Sequence, residues 1–184
     1  INYCVADTML SIENFQVEAS HQYIRANGVA SKRADDSLRV ELGHIDAGFI
    51  LPFVLPEKEF KLGGYATGWA TLYNLFNQPV FEADVRLDST QINDVYLGTA
   101  LATLELDKET KNILIDGDVY TPTERFLAHV DGEVVTATKH WGITIYPDSV
   151  PLGFINHWTD GIISDISGYG SGVVDIFGEN HKVW

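Results

Sequence analysis

Six histidines, His21, His44, His129, His140, His157 and His181, are the first residues to test for chemistry. None lies in a His-x-His, HExxH or Cys/His pattern, so a metal or acid–base role would need residues far apart in the chain to converge. His157 stands out within "FINHWTDG", where Trp158 adjoins it and Asp160 follows closely. An aromatic ring beside an imidazole and a carboxylate is a candidate ligand-binding platform, and His157, Trp158 and Asp160 are taken as that candidate. Among the acidic groups, "ADD" offers Asp35 and Asp36, "RLDSTQIND" offers Asp88 and Asp94, and "DGD" offers Asp116 and Asp118. Asp116 and Asp118 are the metal candidates, because a flexible Asp-Gly-Asp loop with carbonyl oxygens nearby suits Ca²⁺, a hard cation that prefers oxygen. The spacing is not that of an EF-hand. The competing reading makes them turn aspartates that hydrogen-bond their own backbone. Calcium is the one cofactor that the residues suggest.

Nucleophilic catalysis finds no framework. There is no G-x-S-x-G elbow, and "GYGSG" runs into the apolar "VVDIF" rather than into a helix that could cradle a phosphate. Cys4 is the single cysteine, which excludes an intrachain disulfide and a four-cysteine zinc site. Trp69, Trp141, Trp158, Trp184 and eight tyrosines could stack on the apolar face of a sugar, or pack in a core. The sequence therefore reads as a non-enzyme.

The composition narrows the partners. With 26 acidic against 12 basic residues, the formal charge of −14 repels nucleic-acid phosphates and anionic membrane surfaces. No run approaches the roughly 18 to 20 apolar residues of a membrane-spanning helix, so membrane insertion is not expected. At 184 residues the chain fits a single domain, residues 1–184, large enough to bury a core without staples.

The elements that must position these groups read as strands. In "VFEADVRLD", Phe81, Ala83, Val85 and Leu87 alternate with acidic and basic residues at the period of two that a half-buried strand requires. "SLRVEL", "YATGWATLYNLF" and "KHWGITIYP" read the same way, and "VVDIF" as a late strand. Turns are expected at "ANG", "LGG", "DGD" and "YGSG", and a type I′ hairpin at Asp131-Gly132. "INDVYLGTALATLELDKET" has loose helical spacing and is the one stretch where a short helix is expected. "AGFILPFVLPEKEF" reads as a kinked core strand, interrupted at Pro52, with Phe49, Phe53 and Leu55 buried.

Between Asp35 and Leu87 the order of features resembles the DNRLRE-type and related β-sandwich modules of bacterial surface and virion proteins. Asp36, Leu38 and Val40, then Phe53 to Pro56, then Ala70 and Leu72, occupy the corresponding places. The resemblance implies a jelly-roll-like sandwich in a display or binding role and transfers no functional residue. The expectation is an all-β chain, a single antiparallel β-sandwich of jelly-roll or Greek-key type with at most one or two short helices. Its expected role is that of a structural or assembly subunit of a virus particle or cell-surface structure, partnered with itself or other assembly proteins. A carbohydrate-binding module with glycan partners and a calcium site is the alternative.

Overall fold

The period-two pattern makes almost the whole chain strand. A computed structural model describes residues 2–4, 9–33, 35–49, 61–77, 80–92, 95–107, 109–135, 137–138, 140–152, 167–179 and 182–183. Its strands are β1 (Asn2–Cys4), β2 (Met9–Ala19), β3 (Gln22–Ala30), β4 (Ser37–Asp46), β5 (Leu62–Tyr73), β6 (Val80–Ile92) and β7 (Val95–Leu106). They continue as β8 (Ile113–Tyr120), β9 (Phe126–Val135), β10 (His140–Pro147), β11 (Val150–Pro151), β12 (Tyr169–Gly170), β13 (Val174–Glu179) and β14 (Lys182–Val183). The all-β, antiparallel class expected from the sequence is the class of this fold. Twelve strands form one ladder in which β1 to β10 each pair with their sequence neighbour. The long connection comes after β10: the β11–β12 ribbon intervenes before β13 returns to pair antiparallel with β10.

The register keeps one side of this ladder apolar. Residues directly opposite in a ladder share a face. Ala83 pairs with Ala70 on one side and Leu104 on the other, and Val85 with Gly68 and Ala102. The series runs on through Leu104↔Ile115, Ile115↔Gly132 and Gly132↔Ile143 to Ile143↔Ile176. In the other direction Ala70 meets Val40, Val40 meets Ala26, and Ala26 meets Phe15. The opposite face carries Arg25, Arg39, Glu41, Glu82, Asp84, Arg86, Asp116, Asp118, Asp131 and Glu133.

On β6 the apolar positions are half-buried while Glu82, Asp84 and Arg86 are exposed, although among the described residues no second sheet larger than the β11–β12 ribbon exists. The apolar side of β6 is thus the more covered of its two faces. Bulges interrupt the ladder along these strands. Register shifts occur at Leu42/Ile45, Gly63/Tyr65, Leu87/Thr90 and Val119/Tyr120. Because alternate strands run in opposite directions, all four fall at the same end of the sheet. His44, Gly64 and Ser89 take positive φ there, 54°, 120° and 55°. Each bulge adds local twist and turns its strand, and a further shift at Ile12/Phe15 of β2 lies toward the other end.

Several local expectations are corrected. Asp116–Asp118 is not a turn but lies within β8, and Asp131-Gly132 is not a hairpin tip but lies within β9. Gly117 and Gly132 sit on the apolar face, where a Cβ would meet the Leu101 carbonyl oxygen at 2.8 Å and Ile115 Cβ at 3.2 Å respectively. Both glycines serve close packing, and neither has positive φ. The stretch expected to allow a helix is strand β7 and its approach, because Ala100, Ala102, Leu104 and Leu106 alternate in phase with β8. Residues 47–49 are helical rather than extended, and Phe49 is 63% exposed instead of buried. Pro52, Phe53 and Leu55 lie outside the described residues.

Close approach of backbones at Gly68 yields a test. A Cβ there would collide with the Asp84 carbonyl oxygen of β6, whereas one at Gly142 meets nothing within 4 Å. Gly68→Ala is expected to cost about 1–3 kcal/mol, as overpacking does. Gly142→Ala should stay within about 0.5 kcal/mol of the parent. Paired thermal melts measure both, and equal melting temperatures for the two variants would contradict the packing assigned to Gly68.

Candidate functional site

Two features of the sheet merit consideration: a polar cluster on the outer face of β8 and β9, and the apolar inner face. In the cluster, ladder register sets Asp118 directly opposite His129 and Asp116 directly opposite Asp131. The His129 ring lies between three carboxylates. Its Nδ1 is 2.9 Å from Asp118 Oδ1, and its Nε2 is 3.2 Å from Asp131 Oδ1 and 3.7 Å from Asp116 Oδ2. Tyr120 donates its hydroxyl hydrogen to the other oxygen of Asp118 at 3.2 Å, and Tyr146 of β10 tilts its ring toward His129 with centroids 5.9 Å apart.

With both ring nitrogens against carboxylates, the imidazolium is the form that donates to both. The hydrogen bond to Asp118 raises the His129 pKa above its ordinary value; partial desolvation opposes this, and Asp131 and Asp116 add to it. Burial, then the charge of Asp118, pushes the Tyr120 hydroxyl up. One ligand atom each from Asp116, His129 and Asp131 lies within 4.8 Å of the others, a spacing that could hold a metal ion. Of the sequence candidates, Asp116 and Asp118 are thus brought together, on a strand rather than in a loop. His157, Trp158 and Asp160 lie outside the described residues.

Sequence reading did not single out His129. The signal was there as two pairs at a spacing of two, Asp116 with Asp118 and His129 with Asp131, each projecting to one face if the segments are strands. Reading both glycine-containing segments as turns concealed it. The described tryptophans do not form an open sugar platform. Trp69 has the Arg39 guanidinium 4.4 Å above its ring, and Trp141 belongs to the apolar series. The open depression beside Gly142, lined by His140, Phe177, Glu133 and Val135, gathers no converging polar set.

The inner face is the larger feature. From β2 to β10 and on to β13 its paired positions in the regular register are aliphatic, aromatic or glycine apart from Gln22 opposite Ala19, with no charged side chain among them. At about 4.8 Å per strand, this surface extends about 43 Å across the ladder. Small residues, Ala26, Ala66, Gly68, Ala70, Ala100 and Ala102, occupy several of its positions, and Ala26 and Ala66 are buried. Phe15 and Val17 at one end are 37% and 55% exposed. No large side chain among the described residues is fully buried. The accessible surface is 11697 Å², whereas a compact chain of 20.4 kDa exposes about 8,800 Å². Among the described residues no helix is long and apolar enough to cross a membrane.

Because its pKa is raised on folding, protonated His129 contributes stability that is fully present below the unfolded-state pKa of about 6.5. That contribution is lost as pH rises through the higher folded value. The melting-temperature difference between the parent and His129→Gln should therefore be larger at pH 6 than at pH 8.5. A difference independent of pH would show that His129 does not carry this charge in the folded protein. No protein-family model, curated protein or solved structure matches the chain, so its functional reading rests on the geometry above.

Proposed function

We propose that this protein is a non-enzymatic carrier whose apolar sheet face holds hydrocarbon chains, such as the acyl chains of lipids. The observation that carries the reading is the apolar register from β2 to β13, without charged side chains, on the less exposed side of a single sheet. A mainly aliphatic surface with no charged side chain in its regular register offers little to a peptide backbone or a sugar, since a polar group desolvated against it costs several kcal/mol. Hydrocarbon needs no such partner and gains about 0.8 kcal/mol for each CH₂ removed from water. Length fits as well, because a surface about 43 Å across exceeds one extended acyl chain and accommodates several side by side.

A second reading keeps the assembly role expected from the sequence. Exposed apolar side chains such as Phe15, Val17 and Val174 favour it, because two copies could cover one another's apolar faces in a particle or at a cell surface.

Binding of a fluorescent fatty acid, followed with light scattering of the same sample, separates the two. Carrier function predicts saturable binding by a monomer. Val85→Asp combined with Leu104→Asp, on neighbouring strands of the inner face, should weaken binding at least tenfold. Arg86→Gln on the outer face should leave it unchanged. Absence of probe binding in a stable dimer would overturn the carrier reading and leave the assembly reading.

A further inference from the structure

The cluster on β8 and β9 does not belong to the apolar face, and its geometry points to a chemistry different from the calcium suggested by the sequence. We propose that Asp116, Asp131 and the Nε2 atom of His129 form a site for a divalent transition-metal ion of the zinc class, with Asp118 holding the imidazole in place.

Three observations carry this. The first is the donor set, one imidazole nitrogen and two carboxylates within 4.8 Å of one another. Ca²⁺ takes oxygen ligands and gains little from an imidazole, whereas Zn²⁺ and its neighbours accept nitrogen with carboxylate oxygen. The second is orientation. Metal-binding histidines commonly donate their remote N–H to a carboxylate, which fixes the tautomer and makes the metal-facing nitrogen more basic. Asp118 Oδ1 stands 2.9 Å from Nδ1 in that position, and the Tyr120 hydroxyl in turn donates to Asp118 Oδ2. The third is the cross-strand pair. Asp116 and Asp131 are directly opposite, an arrangement that repels when both are ionised and that a shared cation relieves. Nε2 faces both of these carboxylates, while Asp118 is on the other side of the ring.

Binding needs no change in backbone pairing. The metal takes the place of the proton on Nε2, which passes to solvent, and forms bonds to Nε2 and to one oxygen each of Asp116 and Asp131. Three protein ligands on an exposed face leave the fourth position to water, the coordination of an open site. The two strands supply a preformed frame, because the ligands are fixed by ladder register rather than by a loop that must order.

Titrating the metal-free chain with Zn²⁺ alone in a calorimeter at pH 7.5, and with Co²⁺ by visible absorption, tests the proposal. One equivalent is expected to bind saturably, and Co²⁺ should give the absorption bands of a low-coordinate nitrogen–oxygen site. His129→Ala should abolish that signal, and Asp118→Asn, which removes no metal ligand, should weaken affinity about 10- to 100-fold. Calcium should not compete at equal concentration. Circular dichroism verifies that the variants keep their strands, as expected for side chains on the outer face. Unsaturable binding, or binding that His129→Ala leaves intact, would overturn the proposal and leave His129 as the counter-ion of its three aspartates.

Discussion

A slip of one residue between neighbouring strands would send every apolar side chain of one strand to the polar side. The structure depends on that constraint being met in phase across the ladder. Each pairing from β2 to β10, and then from β10 to β13, places small or aliphatic residues opposite one another. The penalty for a slipped register is a row of charges such as Glu82, Asp84 and Arg86 turned into the apolar face. This cost specifies the pairing even where individual contacts are weak.

Bulges interrupt the same ladder. Those that carry His44, Gly64 and Ser89 at positive φ lie at one end of adjacent strands and add local twist there. Close backbone approach at Gly68 and Gly117 lets the strands meet without side chains forcing them apart. Along β6 the apolar positions are half-buried while Glu82, Asp84 and Arg86 are exposed. The outer face is free to carry charge, and there register builds the His129 cluster by setting Asp116 and Asp118 of β8 against Asp131 and His129 of β9. One ladder thus produces two surfaces of opposite chemistry.

The sequence by itself determined the class of the fold, because period-two alternation in β4, β5, β6 and β10 is a local property that survives without knowledge of the partner strand. It also determined the charge and the absence of a local catalytic motif. Reading failed where one residue type serves two purposes. Glycine after aspartate signals a hairpin when positive φ is required, yet Gly117 and Gly132 are present because the neighbouring strand approaches closely, a fact of tertiary packing. For the same reason Asp116 and Asp118 were legible as metal candidates while His129 and Asp131 were not: which residues stand opposite them is fixed by register between β8 and β9. Phe49 was misjudged because hydrophobicity reports a preference for burial, whereas burial itself depends on what the fold brings over the residue. Tertiary structure alone decided that the apolar sides of successive strands join into one continuous surface, since continuity is a property of pairing between strands and of no strand alone.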